Sequence, residues 1–471
     1  MNPLLLPEVV HCLGNFLLLS TPPPRDQADA SFSQRTLLDC LRVCRTWNKI
    51  LHPRLWQYFG NAPWAQRLSL VPSETLLKNA HHIRTLYCHP TYNIMLDLPN
   101  LVWLTLGAFP PNFSLKEDAT RSRILKRCPR LRVLSWDGPE HLSPLLTRRF
   151  KNLPCLTYLQ LNRWDGSGGA LKRVLEPLSA TLTDLVLYNI MCVESAELEG
   201  LVLPAVTSLD ITLSYPATEG VGKLPGCCPK LKELKAVCDE IAIVFIYIKP
   251  DLLVDWIKDT RLDSLTSFMF QNELPIESTV EGLIQSFRTL RIFAYSGSLT
   301  QEIANLMVGY QGNNIEELTI IISQNRTFSA SALATLLESC SSLQRISIAC
   351  SVPVSDMMLL EAIFRGTWGC RGLKQLHLNG IKMTLPEMDQ MIEPPSSFAP
   401  PTSSYIGLGW YAHSQETQGI QDLIPKQRTA FLGRLIEHVQ GMPQIQDLHL
   451  NGVYYHPSST PKQWYDHEVL Y

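Results

Sequence analysis

The sequence predicts an α/β solenoid preceded by a small helical head, on three observations. A strand phrase of the form Leu-x-x-Leu-x-Leu returns along most of the chain, as in Leu101-Val102-Trp103-Leu104-Thr105-Leu106, Leu131 to Trp136 and Leu156 to Leu161. Most of its starts are separated by 24 to 30 residues. The first fifty or so residues lack the phrase and carry helical periodicity instead.

Further copies of the phrase run from Leu182 to Leu187, Val206 to Ile211 and Leu231 to Ala236, and others begin at Leu265, Leu290, Ile315, Leu343, Leu373 and Ile445. The period is a little above that of leucine-rich repeats. Three residues before the first Leu there is usually another apolar side chain: Leu98, Cys128, Leu153, Leu203, Cys228, Leu262, Phe287, Cys340 or Cys370. There the helix of each unit is expected to end and tuck inward. Segments such as Ala330 to Cys340 and Met357 to Phe364 have helical apolar spacing between phrases. A strand-plus-helix unit of this size buries its apolar face only against its neighbours. The expectation is an irregular leucine-rich-repeat solenoid, with parallel strands on the concave side and helices on the convex side.

The repeats depart from regularity in two ways. The ninth position, where such repeats use Asn or Cys to bond the next turn, holds Phe109, Trp164, Ile190, Ile381 and Val453. Backbone groups at those turns need other partners. One gap is long: 72 residues separate Leu373 from Ile445, and Pro- and Ser-rich stretches at 393–404 fall inside it. That composition predicts an inserted loop at about 384–425. Tyr454, Tyr455, Trp464, Tyr465 and Tyr471 suggest an aromatic cap at about 452–471 over the end of the array.

In the head, Pro7 suits the first position of a helix, and Glu8 favours its positive end. Val9, Leu13 and Phe16 recur on one face. Thr21-Pro22-Pro23-Pro24 stops that helix, and a polar stretch follows. Helical spacing resumes at Leu37, Leu41 and Cys44, continues through Trp47 and Ile50-Leu51, and is expected to end at Pro53. The division predicted is a head at 1–60, with an inserted loop at about 20–35, and a repeat array at 61–471.

Bulk composition narrows the function. Hydrophobic residues make up 45% of the chain, enough for a buried core. The formal net charge of −2 gives no overall basic footprint for nucleic acid or anionic membrane. None of the 13 cysteines forms a C-x-x-C, so zinc-knuckle and thioredoxin-type sites are not expected. Buried free thiols in a reducing compartment, cytoplasm or nucleus, are the reading of them. The apolar start lacks the basic residues and cleavage site of a signal peptide, and the apolar run Ile241 to Ile248 is too short for a membrane span. No P-loop, G-x-S-x-G or H-E-x-x-H occurs. His81-His82 are read as a helix end, and His377 and His449 as equivalent strand positions of two repeats. No catalytic set, metal or cofactor is expected.

The head resembles the three-helix F-box, and the whole chain resembles fungal-type F-box proteins with degenerate leucine-rich repeats. The residues that carry this are Leu6-Pro7-Glu8, Val9, Val10, Leu13, Leu38, Leu41, Val43-Cys44-Arg45, Trp47 and Leu55-Trp56. The family joins its first two helices by a few residues, whereas this chain inserts roughly Leu19 to Arg35. The resemblance implies a non-catalytic substrate receptor of an SCF-type cullin–RING ubiquitin ligase. The head would dock a Skp-type adaptor, and through it cullin and RING subunits, by Leu6, Pro7, Val10, Leu41, Val43 and Trp47. The repeats would hold a protein substrate. Internal packing is the plain alternative for each of these side chains.

In a strand phrase, positions three, five and seven face away from the core. On that face Trp103, Tyr158 and Tyr188 are candidate anchors for a substrate, and acidic neighbours such as Asp137, Asp184 and Asp210 favour a basic segment. Ordinary strand residues are the plain alternative. At the level of the whole protein, the alternative is a leucine-rich-repeat scaffold acting outside the ligase. A hydrolase on a repeat fold, the third reading, lacks every motif it would need.

Overall fold

The computed structural model describes residues 6–10, 12, 37–59, 72–88, 97–107, 124–138, 144–190, 193–213, 219–238, 264–273, 277–287, 289–322, 326–350, 368–379, 447–450 and 453–455. The predicted loop at 20–35, the helix at Met357 to Phe364, the insertion at 384–425 and the tail beyond Tyr455 lie outside them. The chain forms two compact units, one built mainly from residues up to Leu231 and the other mainly from Lys232 onward.

The first unit is a run of leucine-rich-repeat solenoid with seven strands. They are β1 (Tyr58–Phe59), β2 (Thr85–Cys88), β3 (Trp103–Leu106), β4 (Val133–Asp137), β5 (Tyr158–Asn162), β6 (Asp184–Tyr188) and β7 (Ser208–Leu213). Each pairs in parallel with the next. The phrase explains the packing directly. Positions one, four and six of successive copies are buried: Leu101, Leu104 and Leu106, then Leu131, Leu134 and Trp136, then Leu156, Leu159 and Leu161. Intervening positions stay half-exposed, as a pleated strand requires. Burying each such Leu contributes about 1.5–3 kcal/mol.

The second unit repeats this design with β8 (Glu233–Cys238), β9 (Ser267–Glu273), β10 (Ile292–Ser296), β11 (Glu317–Ile322), β12 (Arg345–Cys350), β13 (Gln375–Asn379) and β14 (Asp447–Leu450), again parallel in chain order. β15 (Val453–Tyr455) closes the unit by pairing antiparallel with β14. Three helices lie side by side opposite these strands: Glu277–Ser286, Gln301–Gln311 and Ala330–Ser339. Thr300 and Ser329 cap the last two, accepting from the amides of Ile303 and Ala332 at 3.3 Å. Their buried residues, Ile303, Ala304 and Met307 in one and Leu333, Leu336 and Leu337 in the other, fall on one face. His377 and His449 are direct register partners on β13 and β14.

The apolar residue before each phrase behaves as expected. Leu98, Cys128, Leu153, Leu203, Cys228, Phe287, Cys340 and Cys370 are all buried. In seven repeats its carbonyl accepts the amide of the phrase's first residue, as Cys128 does from Leu131 at 3.2 Å and Cys370 from Leu373 at 3.1 Å. Burial pushes the thiols of Cys128 and Cys370 up to about 12 and that of Cys340 up to about 11. These thiols stay protonated at neutral pH and serve as small apolar side chains.

One carbonyl joins each rung to the next. Just before a strand, it accepts two consecutive amides from the following repeat. Arg132 O takes the amides of Thr157 and Tyr158 at 2.8 and 3.0 Å, and Thr157 O takes those of Thr183 and Asp184 at the same distances. Glu316 O likewise takes the amides of Gln344 and Arg345 in the second unit. Threonine hydroxyls reinforce the link: Thr183 Oγ1 donates to Thr157 O at 3.0 Å. At the far end of the strands, the missing Asn is replaced differently. Trp164 and Ile190 are buried, and Trp136, Phe150 and Trp164 form one aromatic cluster with centroids 5.4 to 6.2 Å apart. Gly138 leaves room for the Trp164 indole, which a Cβ there would overlap. Arg163 and Asn189 take left-handed φ values of 58° and 54° at these turns, and the Arg163 amide donates to Tyr188 O at 2.9 Å.

We predict that Trp136→Ala costs about 3–5 kcal/mol in denaturant unfolding. Thr183→Val, which removes a single hydroxyl donor and keeps the shape, should cost only about 0.5–1.5 kcal/mol. Equal losses would show that the hydroxyl link matters as much as the aromatic cluster.

Candidate interaction surfaces

The head is built from helical residues 7–10 and 37–41 and a helix at Arg45–Leu55. The second stretch ends at Leu41, where Arg42 and Val43 form a turn and Cys44 is extended, so residues 37–55 hold two helical stretches and the head three. Pro53 does not end the last helix. It sits in the final turns, where its missing N–H removes a bond close to the helix end. Asn48 Nδ2 donates to Leu41 O at 3.2 Å, satisfying a carbonyl left over by the break.

This geometry divides the six predicted docking residues. Val10 and Leu41 belong to a buried core with Leu37 and Leu51, and Trp47 packs against that core beside Cys40, Ile50 and Leu55. Those three side chains are engaged in holding the head together. Leu6 is half-buried, Pro7 is exposed, and Val43 is 62% exposed. Leu38, not among the docking candidates, is a further exposed apolar side chain at 37%. Its exposure follows from Leu37 and Leu41 sharing the inward face, which turns the residue next to Leu37 outward. Among the described residues of the head, Pro7, Leu38 and Val43 are apolar side chains presented to solvent.

The head runs without interruption into the first rung. Gln57 O accepts the amides of Arg84 and Thr85 at 3.0 and 2.8 Å. At this junction His81 and His82, expected only as a helix end, lie in a group of rings with His52 and Trp56. His81 and His82 are 3.7 Å apart by centroid, and His52 lies 6.5 Å from His82. Trp56 Nε1 donates to His52 Nε2 at 3.3 Å. Burial first, then the neighbouring His81 and His52, hold the His82 imidazole below its usual range.

On the first unit's strand face, register decides which candidates meet. Trp103 aligns with Val133, and Val133 with Tyr158, so these three form one row across three neighbouring strands. Asp184 follows Tyr158 in the same row. Tyr188 lies four residues further along β6, aligned with Asn162. The structure thus brings Trp103 and Tyr158 together and sets Tyr188 apart. All three are half-buried with engaged polar tips. Trp103 Nε1 donates to Thr105 Oγ1 at 3.0 Å, Tyr158 OH to Gln160 Oε1 at 3.2 Å, and Tyr188 OH to Asp210 Oδ2 at 3.0 Å. Asp137 is paired with Arg163 at 2.7 Å, which offsets part of the acidic character expected there.

Among the described residues, no group of three or more His, Cys, Asp or Glu side chains is placed to hold a metal ion. No helix among them is long and apolar enough to cross a membrane. No protein-family model matches the chain, and no curated protein matches it significantly. Solved structures to which it is similar include the internalin InlF from Listeria monocytogenes, at 16% identity over 71% of this chain and 86% of that one, with a TM-score of 0.33. Another is Rad7 in its complex with Elc1 from yeast, at 17% identity over 73% and 88%, with a TM-score of 0.35. Likenesses at this level add nothing to the strand ladder itself, on which the fold class rests.

The junction histidines give a pH prediction. The folded state disfavours protonated His82, so its contribution to stability is complete above the ordinary histidine pKa. It is lost as pH falls through that value toward the lowered folded one. Thermal melting should therefore fall more between about pH 7.5 and about pH 5.5 in the wild type than in His82→Asn. Identical falls would mean that the imidazole group plays no part.

Proposed function

We propose that the chain is a non-catalytic substrate receptor, in which residues 1–60 dock a Skp-type adaptor of a cullin–RING ubiquitin ligase and residues 61–471 hold a protein substrate. The observation that carries this reading is the head's surface. Among the described residues, a cluster of four buried apolar side chains leaves Pro7, Leu38 and Val43 in solvent. So small a core is marginal by itself and gains from covering that surface with a partner. The docking set is then Leu6, Pro7, Leu38 and Val43 at the contact, with Val10, Leu41 and Trp47 holding them in place from within.

One observation favours a scaffold that acts outside the ligase. The head has a core of its own and a backbone join to the first rung, contacts that involve no adaptor. Co-expression separates the two readings. The wild-type chain should co-purify with a Skp-type adaptor in stoichiometric amount, and Leu6→Asp/Pro7→Ala and Val43→Asp should each abolish the complex. A folded wild-type chain that captures no adaptor would leave the scaffold.

For the substrate, the row Trp103–Val133–Tyr158 ending at Asp184 suits a segment with apolar and basic side chains. Trp103→Ala/Tyr158→Ala should weaken capture of such a segment by about tenfold or more. Tyr188→Ala, in a different row, should weaken it less. Equal capture by all variants would remove this face from recognition.

A further inference from the structure

The chain's near-neutral total conceals a local excess of charge. Between Arg121 and Lys151 stand nine basic residues and two acidic ones. The structure gathers many of these bases along one rim of the first unit, at the turns that lead into the strands. Arg84, Val102, Arg132 and Thr157 occupy the same place on consecutive rungs, each carbonyl taking the amides of the next. Lys126 and Lys151 occupy equivalent places on two adjacent rungs, each two residues before a buried Cys128 or Leu153. Arg130 Nη1 reaches back a rung to Asn100 Oδ1 at 2.9 Å, and Asn100 Nδ2 donates to His81 O at 2.8 Å. The turns 80–84, 97–102, 124–132 and 144–157 are therefore one continuous strip.

Across those four turns the single acid is Asp97, already paired with Arg127 at 2.9 Å. Arg84, Lys126, Arg130, Arg132, Arg148 and Lys151 are all exposed. Like charges on rungs about 4.8 Å apart repel one another, so the arrangement does not stabilise the fold. Contrast the equivalent turns of the second unit, where Arg291 is held by both oxygens of Glu316 at 2.7 and 2.6 Å. At that position the cation has an acidic partner; among the described residues of the same turns, the six cations of the first unit's rim have none.

We infer that this rim docks an acidic polypeptide segment, a run of Asp and Glu side chains lying across the rungs. The six cations come from separate positions on several rungs and not from one pocket, which matches spaced carboxylates better than a single compact dianion. A nucleic-acid duplex fits less well. It is a long polyanion that would run beyond the strip onto a molecule of net negative charge. The inference does not rest on the adaptor reading, since it concerns a different surface and needs no ligase.

The test uses the full-length chain and a fluorescein-labelled glutamate peptide of about ten residues, followed by anisotropy at two salt concentrations. Wild type should bind, less tightly at the higher salt. Arg130→Glu/Arg132→Glu/Lys151→Glu should weaken binding by at least about tenfold, while Arg371→Glu, an exposed cation of the second unit, should leave it unchanged. Circular dichroism melts establish folding, and the Gln versions of the three substitutions replace the Glu versions if those do not fold. The inference fails if wild type does not bind the peptide, or if neither triple variant weakens it. It also fails if a duplex of about 12 base pairs or an otherwise neutral phosphopeptide of the same length binds more tightly under the same conditions.

Discussion

The register of the array depends on a carbonyl shared between rungs. Immediately before a strand, at eleven places among the described residues, it accepts two successive amides from the next rung, as Thr157 O does from Thr183 and Asp184. That bond pair sets where the following strand begins. Because side chains alternate along a strand, a slip of one residue would turn Leu185 and Leu187 outward and Asp184, Val186 and Tyr188 inward. The inward Leu-x-x-Leu-x-Leu pattern and the shared carbonyl therefore enforce the same register from two directions. The outward rows of side chains, and the rim of turns beside them, inherit their positions from it.

The head illustrates a different balance. Val10, Leu37, Leu41 and Leu51 form a core of its own, while β1 and the Gln57 carbonyl bind it to the first rung through main-chain groups, beside the ring contact of His52 with His82. Main-chain attachment leaves the side chains of the outer helical turns unconstrained by the array. Pro7, Leu38 and Val43 are consequently exposed without cost to the junction. The junction itself carries polar rings, His52, His81, His82 and Trp56, in place of an apolar seam.

The repeat array was legible in the sequence because its signal is redundant. Each rung states its core at three positions of the phrase and again at the apolar residue three places earlier, so Cys128 and Cys370 were readable as packing side chains. Two rungs were harder. β1 is two residues long and has no phrase at all, and β2 lies before the first copy of the phrase recognised at Leu101. The turn solution at Arg163 and Asn189 left no readable trace, since a left-handed arginine has no sequence signature. In the head, spacing placed Leu37 and Leu41 correctly but could not show that Val43 lies in a turn. Local spacing describes a face, and exposure depends on what else packs there. Whole-chain charge likewise hid the basic rim, because balanced charge elsewhere, such as Arg291 with Glu316, cancels in the total.

The neighbouring strands β13 and β14 carry nearly the same words, Leu376-His377-Leu378-Asn379-Gly380 and Leu448-His449-Leu450-Asn451-Gly452. β12 is therefore offered two interchangeable partners while the chain is still folding. At the first position the decoy is even attractive: Arg345 faces Gln375 in the native pairing, whereas Asp447 would stand there in the wrong one. What separates the choices is distance along the chain. Reaching Ile445 from Leu343 closes a loop more than three times longer than reaching Leu373, an entropic difference of only about 1 kcal/mol. Selection of the right neighbour thus falls to what comes after pairing. A chain that skips β13 strands Leu376 and Leu378 in solvent and leaves β14 no place but the one already taken.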